Sequence, residues 1–405
     1  MEYVKYLILG AGPAGLTFAR RLVDRGETSF LVLEKENCAG GLCRSIEVDG
    51  SPLDIGGGHF LDVRRPAVND FLFRFMPREE WQLFERDSRI AIAGKLISHP
   101  FEANIWQLDL ESQVKYLSSI AKAGCNSDEP MPERFVDWIK WKLGDMIAED
   151  YMLPYNQKMF ADDLNYLGTY WLEKLPDVSF EETLRSCLAH KPYGVQPGHA
   201  SFYYPVEYGY GEVWRRMAES FGSHIMYEKD VCGIDMEKRE VLVNADEVFR
   251  ADKIVTTIPW VLYTKILGMP KQLMEDLQRL KTSSVEIRYI PERLETEAQW
   301  IYIPDPELPY HRILVRHNFC QNSKGYWLET RKERTHHYKD DNYHYLNQYA
   351  YPLNTIGKPQ IMEKVLNYAR AKQIYGLGRW GEHSHYNSDL VVELAIRLEE
   401  ELSKQ

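Results

Sequence analysis

The first 34 residues constrain the fold of this chain more than any other segment. A short apolar run leads into Gly10, Gly12 and Gly15 at the spacing GxGxxG, and a second apolar run ends at Glu34. This spacing lets the chain turn sharply off a strand, lets backbone approach a pyrophosphate, and lets the next helix pack closely on the sheet. The terminal acid is placed to accept hydrogen bonds from both ribose hydroxyls. The pattern predicts a βαβ unit that binds a dinucleotide at a helix N-terminus.

A second glycine pair indicates which dinucleotide this is. Gly40 and Gly41 follow soon after Glu34, and Arg44 comes next. A domain that binds a nicotinamide dinucleotide does not require this segment. An extended FAD does, because backbone and an arginine can contact its pyrophosphate from the other side. The order Glu, Gly-Gly, Arg resembles the flavoprotein superfamily of amine oxidases, protoporphyrinogen oxidase, phytoene desaturases, Rab GDP-dissociation inhibitors and UDP-galactopyranose mutase. The resemblance implies FAD as the cofactor.

Composition limits the classes of partner. With 405 residues and 44% hydrophobic content, the chain is long enough for one large or two ordinary cores. Its net charge of −11 argues against nucleic acid as a partner, so we expect any contact with an anionic ligand to be a local pocket. The six cysteines contain no CxxC pair, which is typical of reduced thiols in a cytoplasmic protein. We expect no integral membrane segment, no signal peptide and no metal site, whereas oligomer formation stays open.

The order of motifs predicts a discontinuous domain rather than two consecutive ones. We expect an α/β fold with a Rossmann-like, doubly wound FAD-binding domain built from residues 1–98, 201–264 and 368–405. Residues 99–200 have a mainly helical pattern and form a first insertion. Residues 265–367 alternate as strands and are rich in aromatics. This second insertion is predicted to be an antiparallel β region that binds the substrate.

Two later segments are predicted to return to the cofactor. Val231 begins a run of strands that resembles the second nucleotide-facing segment of the superfamily, where such a residue packs near adenine. The C-terminal segment contains Gly378 and Arg379. It then opens a last helix, with Asn387 or Ser388 as the capping residue and Asp389 in the favourable first turn. We expect this segment to contact the flavin or its ribityl chain.

Further segments narrow the resemblance to the UDP-galactopyranose mutase family. Gly58 and His59 stand where that family has a glycine-histidine loop over the flavin. Residues 100–105, Pro-Phe-Glu-Ala-Asn-Ile, are similar to the P-F-x-x-N-I of eukaryotic mutases. A strand similar to F-T-R-I-x-E-x-K-H-F places the diphosphate arginine of the family at Arg312. Residues 350–354, Ala-Tyr-Pro-Leu-Asn, resemble the Y-Y-P-x-N of the family and place a substrate tyrosine at Tyr351.

This resemblance implies a reaction and roles for individual residues. Family members isomerise a nucleotide-diphosphate sugar between pyranose and furanose for surface polysaccharide synthesis, through attack of reduced-flavin N5 on the anomeric carbon. NAD(P)H is one source of the reducing equivalents. The implied catalytic residues are His59, Arg312 and Tyr351. Tyr155 and Tyr386 join Arg312 and Tyr351 as implied substrate-binding residues, so a small anionic substrate is expected.

The chain departs from the family in two places. In the family's closing motif, which falls on residues 378–389, the tyrosines are replaced by His383 and His385, which leaves only Tyr386. Bacterial mutases carry a second diphosphate arginine in an R-x-P-V-R segment, and the best match here is Leu-Pro-Asp-Val-Ser at residues 175–179, without an arginine. Arg185, Arg316, Arg331 and Arg334 are candidates to replace it. Nothing in the sequence chooses among them.

Two other classes of function compete with the mutase. A flavin oxidoreductase of the amine oxidase or protoporphyrinogen oxidase type removes hydride from a small substrate and needs an apolar, often aromatic cavity. The arginines and histidines between residues 311 and 337 favour an anionic substrate instead. A non-catalytic binding protein like the GDP-dissociation inhibitors is disfavoured by the intact glycine pattern and Glu34.

Overall fold

Two large sheets, two small ones and a group of helices make up this computed structural model, which describes residues 2–127, 129–172, 175, 177–194, 200–321 and 323–404. Twenty strands lie in these residues, β1 to β20 in chain order: Glu2–Leu9, Phe30–Leu33, Ser45–Val48, Ser51–Asp54, Leu61–Asp62, Trp81–Glu85, Ser88–Ile92, Lys95–Ser98, Ser201–Pro205, Ile225–Met226, Val231–Asp235, Glu240–Val243, Glu247–Thr256, Lys265–Leu267, Thr282–Ile290, Trp300–Tyr302, Arg312–Leu314, Tyr326–Arg331, His344–Pro352 and Ile374–Gly376. The same residues contain the α-helices α1 to α12: Pro13–Asp24, Pro66–Phe73, Phe101–Asn104, Leu110–Ala121, Phe135–Ile147, Leu153–Met159, Phe180–Ala189, Glu212–Glu219, Lys271–Gln278, Lys358–Ala371, Gly378–Gly381 and Ser388–Leu402. The small sheets are β3-β4 and β5-β9-β6, and the large ones are called the first and the second sheet.

The first sheet is built around β1. Its strand order is β10-β2-β1-β13-β12-β11-β14, with β20 beside β13, and β1 runs parallel to both β2 and β13. The second half of β1, Tyr6 to Leu9, and all of β2 are buried, because helices cover the parallel strands on their faces. The βαβ unit of β1, α1 and β2 confirms the predicted α/β fold class with a Rossmann-like nucleotide-binding unit.

The C-terminal residues complete this sheet. β20 pairs in parallel with the end of β13, so that Ile374 lies opposite Ile254. The final helix α12 packs on α1, and both present small or aliphatic residues to the contact. The first sheet therefore contains strands from the beginning, the middle and the end of the chain.

The second sheet has the strand order β19-β15-β18-β17-β16-β7-β8. All its pairings are antiparallel except that between β16 and β7. The predicted boundary at residue 98 places β7 and β8 in the first part of the FAD-binding domain. In the structure, Trp300 of β16 lies opposite Ser88 of β7, and this hairpin extends the antiparallel sheet instead.

Helices α3 to α7 follow one another in the sequence between β8 and β9. The predicted helical insertion contains α4 and α5, which pack on each other across a short 3₁₀ turn at Gly124–Asn126. Helix α7 begins with a capping box, in which Ser179 and Glu182 satisfy each other's backbone N–H groups. No helix among the described residues is both long enough and apolar enough to cross a membrane.

One buried ion pair joins the nucleotide-binding part to the second sheet. Asp54, at the end of β4, is fully buried and pairs with the guanidinium of Arg316, which follows β17. The carboxylate also accepts hydrogen bonds from the Tyr204 hydroxyl at 2.8 Å and from the Tyr210 backbone N–H at 2.9 Å. Removing one partner of such a pair leaves a buried charge without compensation.

We expect Arg316→Ala to lower the free energy of unfolding by about 3–5 kcal/mol, because Asp54 then stays buried without its cation. The measurement is denaturant unfolding at pH 7. The matched control is Arg185→Ala, which removes an exposed pair with Glu181 on α7 and should leave the free energy of unfolding nearly unchanged. Equal losses for both variants would contradict this prediction.

Candidate functional site

A cavity of about 330 Å³ lies at the carboxyl end of the parallel strands β1, β2 and β13. This is the place where open α/β sheets bind their ligands. The predicted cofactor residues and their neighbours that line it are Gly10, Gly12, Glu34, Gly41, Arg44, His59, Val231, Arg379 and Tyr386. The sequence therefore predicted residues that the fold brings together from five separate stretches of chain.

The glycines form a narrow backbone cradle in this cavity. Gly10 has a φ of 101°, and a side chain there would meet Thr257 Oγ1 at 2.5 Å. A Cβ on Gly41 would lie 3.1 Å from the Cα of Gly12, so two loops approach with backbone alone between them. Helix α1 starts at Pro13, and its first N–H groups face the same space. The arrangement fits the pyrophosphate of a dinucleotide.

Three of the predicted cofactor glycines support this cradle without lining the cavity. A Cβ on Gly15 would lie 2.0 Å from the Gly10 carbonyl oxygen, which explains the close packing of α1 on β1. Gly40 has a φ of 110° and precedes the turn that carries Gly41. A Cβ on Gly378 would lie 2.9 Å from Ala14 Cβ, so Gly378 lets the last segment approach α1. These glycines act through backbone packing.

Glu34 and Arg44 stand on either side of the cradle. Glu34 is buried and accepts hydrogen bonds from the Ala11 N–H at 2.7 Å and the Glu36 N–H at 3.0 Å. Burial raises the pKa of this carboxyl, although these two hydrogen bonds oppose the shift. Arg44 donates to the Tyr345 hydroxyl at 2.8 Å and lies 3.3 Å from a carboxylate oxygen of Glu36.

A second cavity, of about 560 Å³, adjoins the first. His59, Arg379 and Ser388 line both cavities, so they mark the junction. The other predicted site residues that line the second cavity are Gly58, Tyr155, Arg312, Tyr351, Asn387 and Asp389. The structure thus places all three predicted catalytic residues in one space beside the nucleotide cradle.

Arg312 is held in the second cavity by a buried carboxylate. Its Nε donates to Glu329 at 2.8 Å, and Glu329 lies opposite it on the neighbouring strand β18. Burial by itself raises the pKa of Glu329, but Arg312 and a hydrogen bond from His311 outweigh it and lower the pKa to about 2. The guanidinium is thereby fixed in direction while part of it faces the cavity.

The two predicted substrate tyrosines have buried rings. Tyr351, on β19, lies 4.9 Å from the ring of His385, centroid to centroid, and beside the Arg379 guanidinium at 5.9 Å. Tyr155, on α6, meets the ring of Tyr302 edge-on at 5.4 Å. Burial raises the pKa of both phenols. Each hydroxyl is therefore a neutral hydrogen-bond donor at neutral pH.

His59 is a neutral ring at the junction. Burial, together with the nearby Arg379 cation, lowers its pKa to about 4. Its ring is stacked with that of Tyr210 at a centroid distance of 6.3 Å. Its buried Nδ1 has no hydrogen-bond partner in the described chain. At neutral pH this side chain can donate or accept one hydrogen bond toward the junction, and it carries no charge.

Arg379 is a cation at the same junction that forms no ion pair within the described residues. Its guanidinium donates to the carbonyl oxygens of Tyr386, at 2.9 and 3.0 Å, and of Ala350, at 3.1 Å. Burial lowers its pKa. A buried arginine that has only backbone carbonyls as partners retains a strong attraction for an anion.

The candidates for a second diphosphate arginine are not in either cavity. Arg185 is exposed and pairs with a neighbouring glutamate, whereas Arg316 belongs to the buried pair with Asp54. Arg331 and Arg334 face the carboxylate of Asp162.

The arginines that line the second cavity, besides Arg312 and Arg379, are Arg64, Arg65 and Arg86. Sequence reasoning missed them. Arg86 donates to the Tyr302 hydroxyl at 2.9 Å and lies over the Trp300 ring at 4.9 Å. It comes close to Arg312 only because β7 and β17 both pair with β16, a contact that no local pattern reveals.

Two further positions differ from their predicted roles. Tyr386, expected to bind substrate, lines the first cavity rather than the second. Asp389, expected to contact the cofactor, lines the second cavity and is ion-paired with Arg65 at 2.6 Å. Asn387 occupies the N-cap position of α12, but its side chain forms no capping hydrogen bond there.

Comparisons with known proteins agree with this architecture. A family model described as an NAD(P)-binding Rossmann-like domain matches residues 8–75. A curated protein of Methanothermococcus thermolithotrophicus, described as uncharacterized and from the nifH2 3′ region, is 45% identical over 53 residues. That match spans 13% of this chain and half the length of the curated relative.

Solved structures show the same fold over the whole chain. A structure of reduced UDP-galactopyranose mutase matches with a TM-score of 0.88 and 22% identity, covering 99% of this chain and 94% of the other. A structure named as a putative protoporphyrinogen oxidase from Exiguobacterium sp. 255-15 matches with a TM-score of 0.70 and 16% identity, covering 100% of this chain and 99% of the other. A redesigned putrescine oxidase matches with a TM-score of 0.68 and 14% identity, covering 100% of both chains. The chain therefore has the fold of the flavoprotein mutases and oxidases, as the sequence predicted.

We expect Glu329→Gln to change the pH dependence of stability. Because the pKa of Glu329 is lower in the folded state, about 2 against an ordinary 4.5, its contribution is complete above pH 4.5 and is lost as the pH falls toward 2. The wild type should lose on the order of 3 kcal/mol over this interval through this group, and the variant should not. Denaturant unfolding at pH 7, 4.5 and 3 measures this.

The control for this prediction is Glu297→Gln, at a position 95% exposed. It should follow the wild-type pH profile. A wild-type profile with the same slope as Glu329→Gln between pH 4.5 and 3 would contradict the assignment of a carboxylate ion pair to Glu329.

Proposed function

We propose that this chain is an FAD-dependent enzyme that isomerises a nucleotide-diphosphate sugar between its pyranose and furanose forms. The observation that carries the proposal is the position of Arg379 and Arg312, two cations that line one cavity beside the nucleotide cradle. Arg379 has no carboxylate partner in the described chain, and Arg312 pairs with a single carboxylate, that of Glu329. An anionic substrate supplies the missing negative charge.

FAD fits the first cavity. The Gly12 and Gly41 backbones would hold its pyrophosphate, and Glu34 would accept hydrogen bonds from its adenosine ribose. Arg44 and Val231 line the same cavity, in places suited to the pyrophosphate and the adenine. When reduced, such a flavin supplies a nucleophilic nitrogen at the anomeric carbon without net redox change. NADH or NADPH is the proposed reductant.

The side chains of the second cavity bind and orient the substrate. Arg312 would hold the diphosphate and stabilise its negative charge as the bond to the sugar breaks, a contribution typically worth on the order of 3 kcal/mol. Tyr351 and Tyr155 would donate hydrogen bonds from neutral hydroxyls. His59, neutral at the junction, would position the sugar and the flavin edge. Burial of these groups excludes water from the reacting atoms.

The solved structure of a reduced UDP-galactopyranose mutase supports this proposal through its fold. The second cavity also has aromatic walls, including Trp138, Tyr151 and Tyr302, and such walls suit hydride removal from a small substrate. The fold shared with putrescine oxidase also favours hydride removal. An FAD-dependent oxidoreductase is therefore the second candidate, although the arginines favour the isomerase.

The experiment that separates the two candidates uses purified, flavin-loaded protein. After anaerobic reduction, the protein should convert a nucleotide sugar to its ring isomer, and chromatography detects this product. It should consume no further reductant per turnover. Conversion that requires oxygen and releases hydrogen peroxide would establish the oxidoreductase instead. Absence of bound flavin after purification in added FAD would contradict both.

We expect Gly12→Val to abolish flavin binding while the protein stays folded. A Cβ on Gly12 lies in ordinary contact with Gly41 Cα, at 3.9 Å, so the added methyl groups enter the cradle rather than the protein interior. The flavin absorbance per protein should fall to near zero with an unchanged circular dichroism spectrum. Gly357→Ala, where a Cβ meets nothing within 4 Å, is the control and should retain FAD.

We expect Arg312→Ala to lower kcat/KM about a hundredfold, because the charge on the departing diphosphate loses its nearest fixed cation. Arg312→Lys keeps the charge beside Glu329 and should lose less activity, which separates catalysis from folding. Arg334→Ala, outside both cavities, is the control and should retain wild-type rates. Full activity in Arg312→Ala would contradict the role of Arg312.

A further inference from the structure

A fully buried histidine next to Arg312 has no role in the function proposed so far. His311 immediately precedes β17, which begins at Arg312, and its exposed fraction is 0%. It is not among the described residues that line either cavity. Any effect of this imidazole on a ligand must therefore pass through a neighbouring group. The family pattern F-T-R-I has threonine at this position, so the imidazole is a feature of this chain.

The neighbour that His311 shares with Arg312 is the carboxylate of Glu329. Its Oε2 lies 3.4 Å from the imidazole Nε2 and accepts a hydrogen bond from Arg312 Nε at 2.8 Å. The backbone N–H of His311 also donates to the Glu329 carbonyl oxygen at 2.9 Å, which fixes the register of the two residues. The other carboxylate oxygen, Oε1, has no hydrogen-bond partner in the part of the chain that the structure describes. The contacts at Oε2 therefore determine the direction of this carboxylate and, with it, that of Arg312.

The imidazole of His311 is neutral, and Glu329 selects its tautomer. Burial lowers the pKa of His311, and although Glu329 opposes this shift, the nearby Arg312 cation adds to it. A neutral imidazole carries one N–H, and a charged carboxylate favours the tautomer with that proton on the facing nitrogen, here Nε2. The other nitrogen, Nδ1, is buried and forms no hydrogen bond within the described residues. The single N–H is thus available to Glu329.

Helix α6 also packs against this imidazole. Tyr155 meets the ring of His311 edge-on at 6.0 Å, centroid to centroid. Lys158 is 1% exposed, and its Nζ donates to the carbonyl oxygens of Ile303, at 2.8 Å, and of Asp305, at 2.7 Å. Both contacts hold α6 against the segment that joins β16 to β17. The imidazole is therefore held between α6 and the second sheet.

We infer that His311 is a positioning residue that directs Arg312 toward the diphosphate of the ligand by donating its Nε2–H to Glu329. This inference rests on the proposed function, since it takes a diphosphate as the partner of Arg312. An anion in the second cavity attracts the guanidinium and competes with Glu329 for its N–H groups. The imidazole N–H compensates part of the carboxylate charge, so Glu329 stays satisfied while the guanidinium turns to the ligand. Without this donor, Glu329 would hold the guanidinium more strongly, and the ligand would bind more weakly.

The test compares two amides at this position, His311→Gln and His311→Asn, in FAD-loaded protein that is titrated calorimetrically with UDP. The amide nitrogen of glutamine reaches about as far as imidazole Nε2, whereas the asparagine amide is one methylene shorter and does not reach Glu329. The wild type and His311→Gln should bind UDP with dissociation constants within about twofold of each other. His311→Asn should bind UDP roughly tenfold more weakly, as expected for the loss of a hydrogen bond to a charged group.

A second background tests whether His311 acts through Arg312. In Arg312→Lys, the added substitution His311→Asn should change UDP affinity less than about twofold, because lysine lacks the guanidinium that Glu329 orients. His224→Asn is the matched control, since this histidine stacks on Phe30 at the start of β2 and is not among the described residues that line the cavities. It should bind UDP as the wild type does. The flavin absorbance per protein checks that each variant is folded.

Several outcomes overturn the inference. No binding of UDP by the wild type, equal weakening by both amides, or the same loss in the Arg312→Lys background would each do so. Nitrogen NMR of histidine-labelled wild-type protein tests the donor even when a variant fails to fold, because a proton on Nδ1 of His311 rather than on Nε2 would contradict the inference.

The outcomes also separate this inference from the proposed reaction. Ring isomerisation of a nucleotide sugar together with a UDP affinity that is the same in every His311 variant would overturn this inference alone. UDP binding that depends on His311 as expected, without ring isomerisation of any nucleotide sugar, would contradict the proposed reaction and leave this inference standing.

Discussion

The buried ion pair between Asp54 and Arg316 is the interaction on which the packing of the nucleotide-binding part against the second sheet depends. The Asp54 carboxylate is fully buried, and it accepts from Arg316, Tyr204 and Ser45 as well as from the backbone of Tyr210. These partners come from three separate stretches of the chain. Because every acceptor position of a buried charge must be satisfied, the network allows one arrangement of the segments. That arrangement brings the glycine-histidine loop, which follows Asp54, between the two cavities.

The two cavities differ in how charge is arranged. In the first, backbone N–H groups and a helix N-terminus face the space, as suits a cofactor phosphate. In the second, side-chain cations prevail, and Glu329 fixes Arg312 while Arg379 has only carbonyl partners. Glu102 of α3, a buried acid without an ion-pair partner in the described chain, lines the same cavity.

The local sequence was sufficient to predict the glycine cradle, because the backbone geometry that each glycine allows is a local property. The spacing of Gly10, Gly12 and Gly15 constrains a strand, a turn and a helix that follow one another directly, so the βαβ unit could be predicted. The same reasoning divided the chain at residue 98 and placed the hairpin β7–β8 with the wrong sheet. Alternation predicts a hairpin but does not specify its partner strand, which here is β16.

The sequence by itself determined the α/β fold class and the glycine cradle, because each depends on a short pattern with one structural solution. Arg312 was proposed from a family resemblance instead, and the tertiary structure alone decided which other charges line the second cavity. Arg86 lines the cavity through a strand pairing more than two hundred residues away, and the four candidate arginines are drawn elsewhere by Glu181, Asp54 and Asp162. The raised pKa of Glu102 follows from burial, and burial is a property of the packed chain rather than of any local pattern.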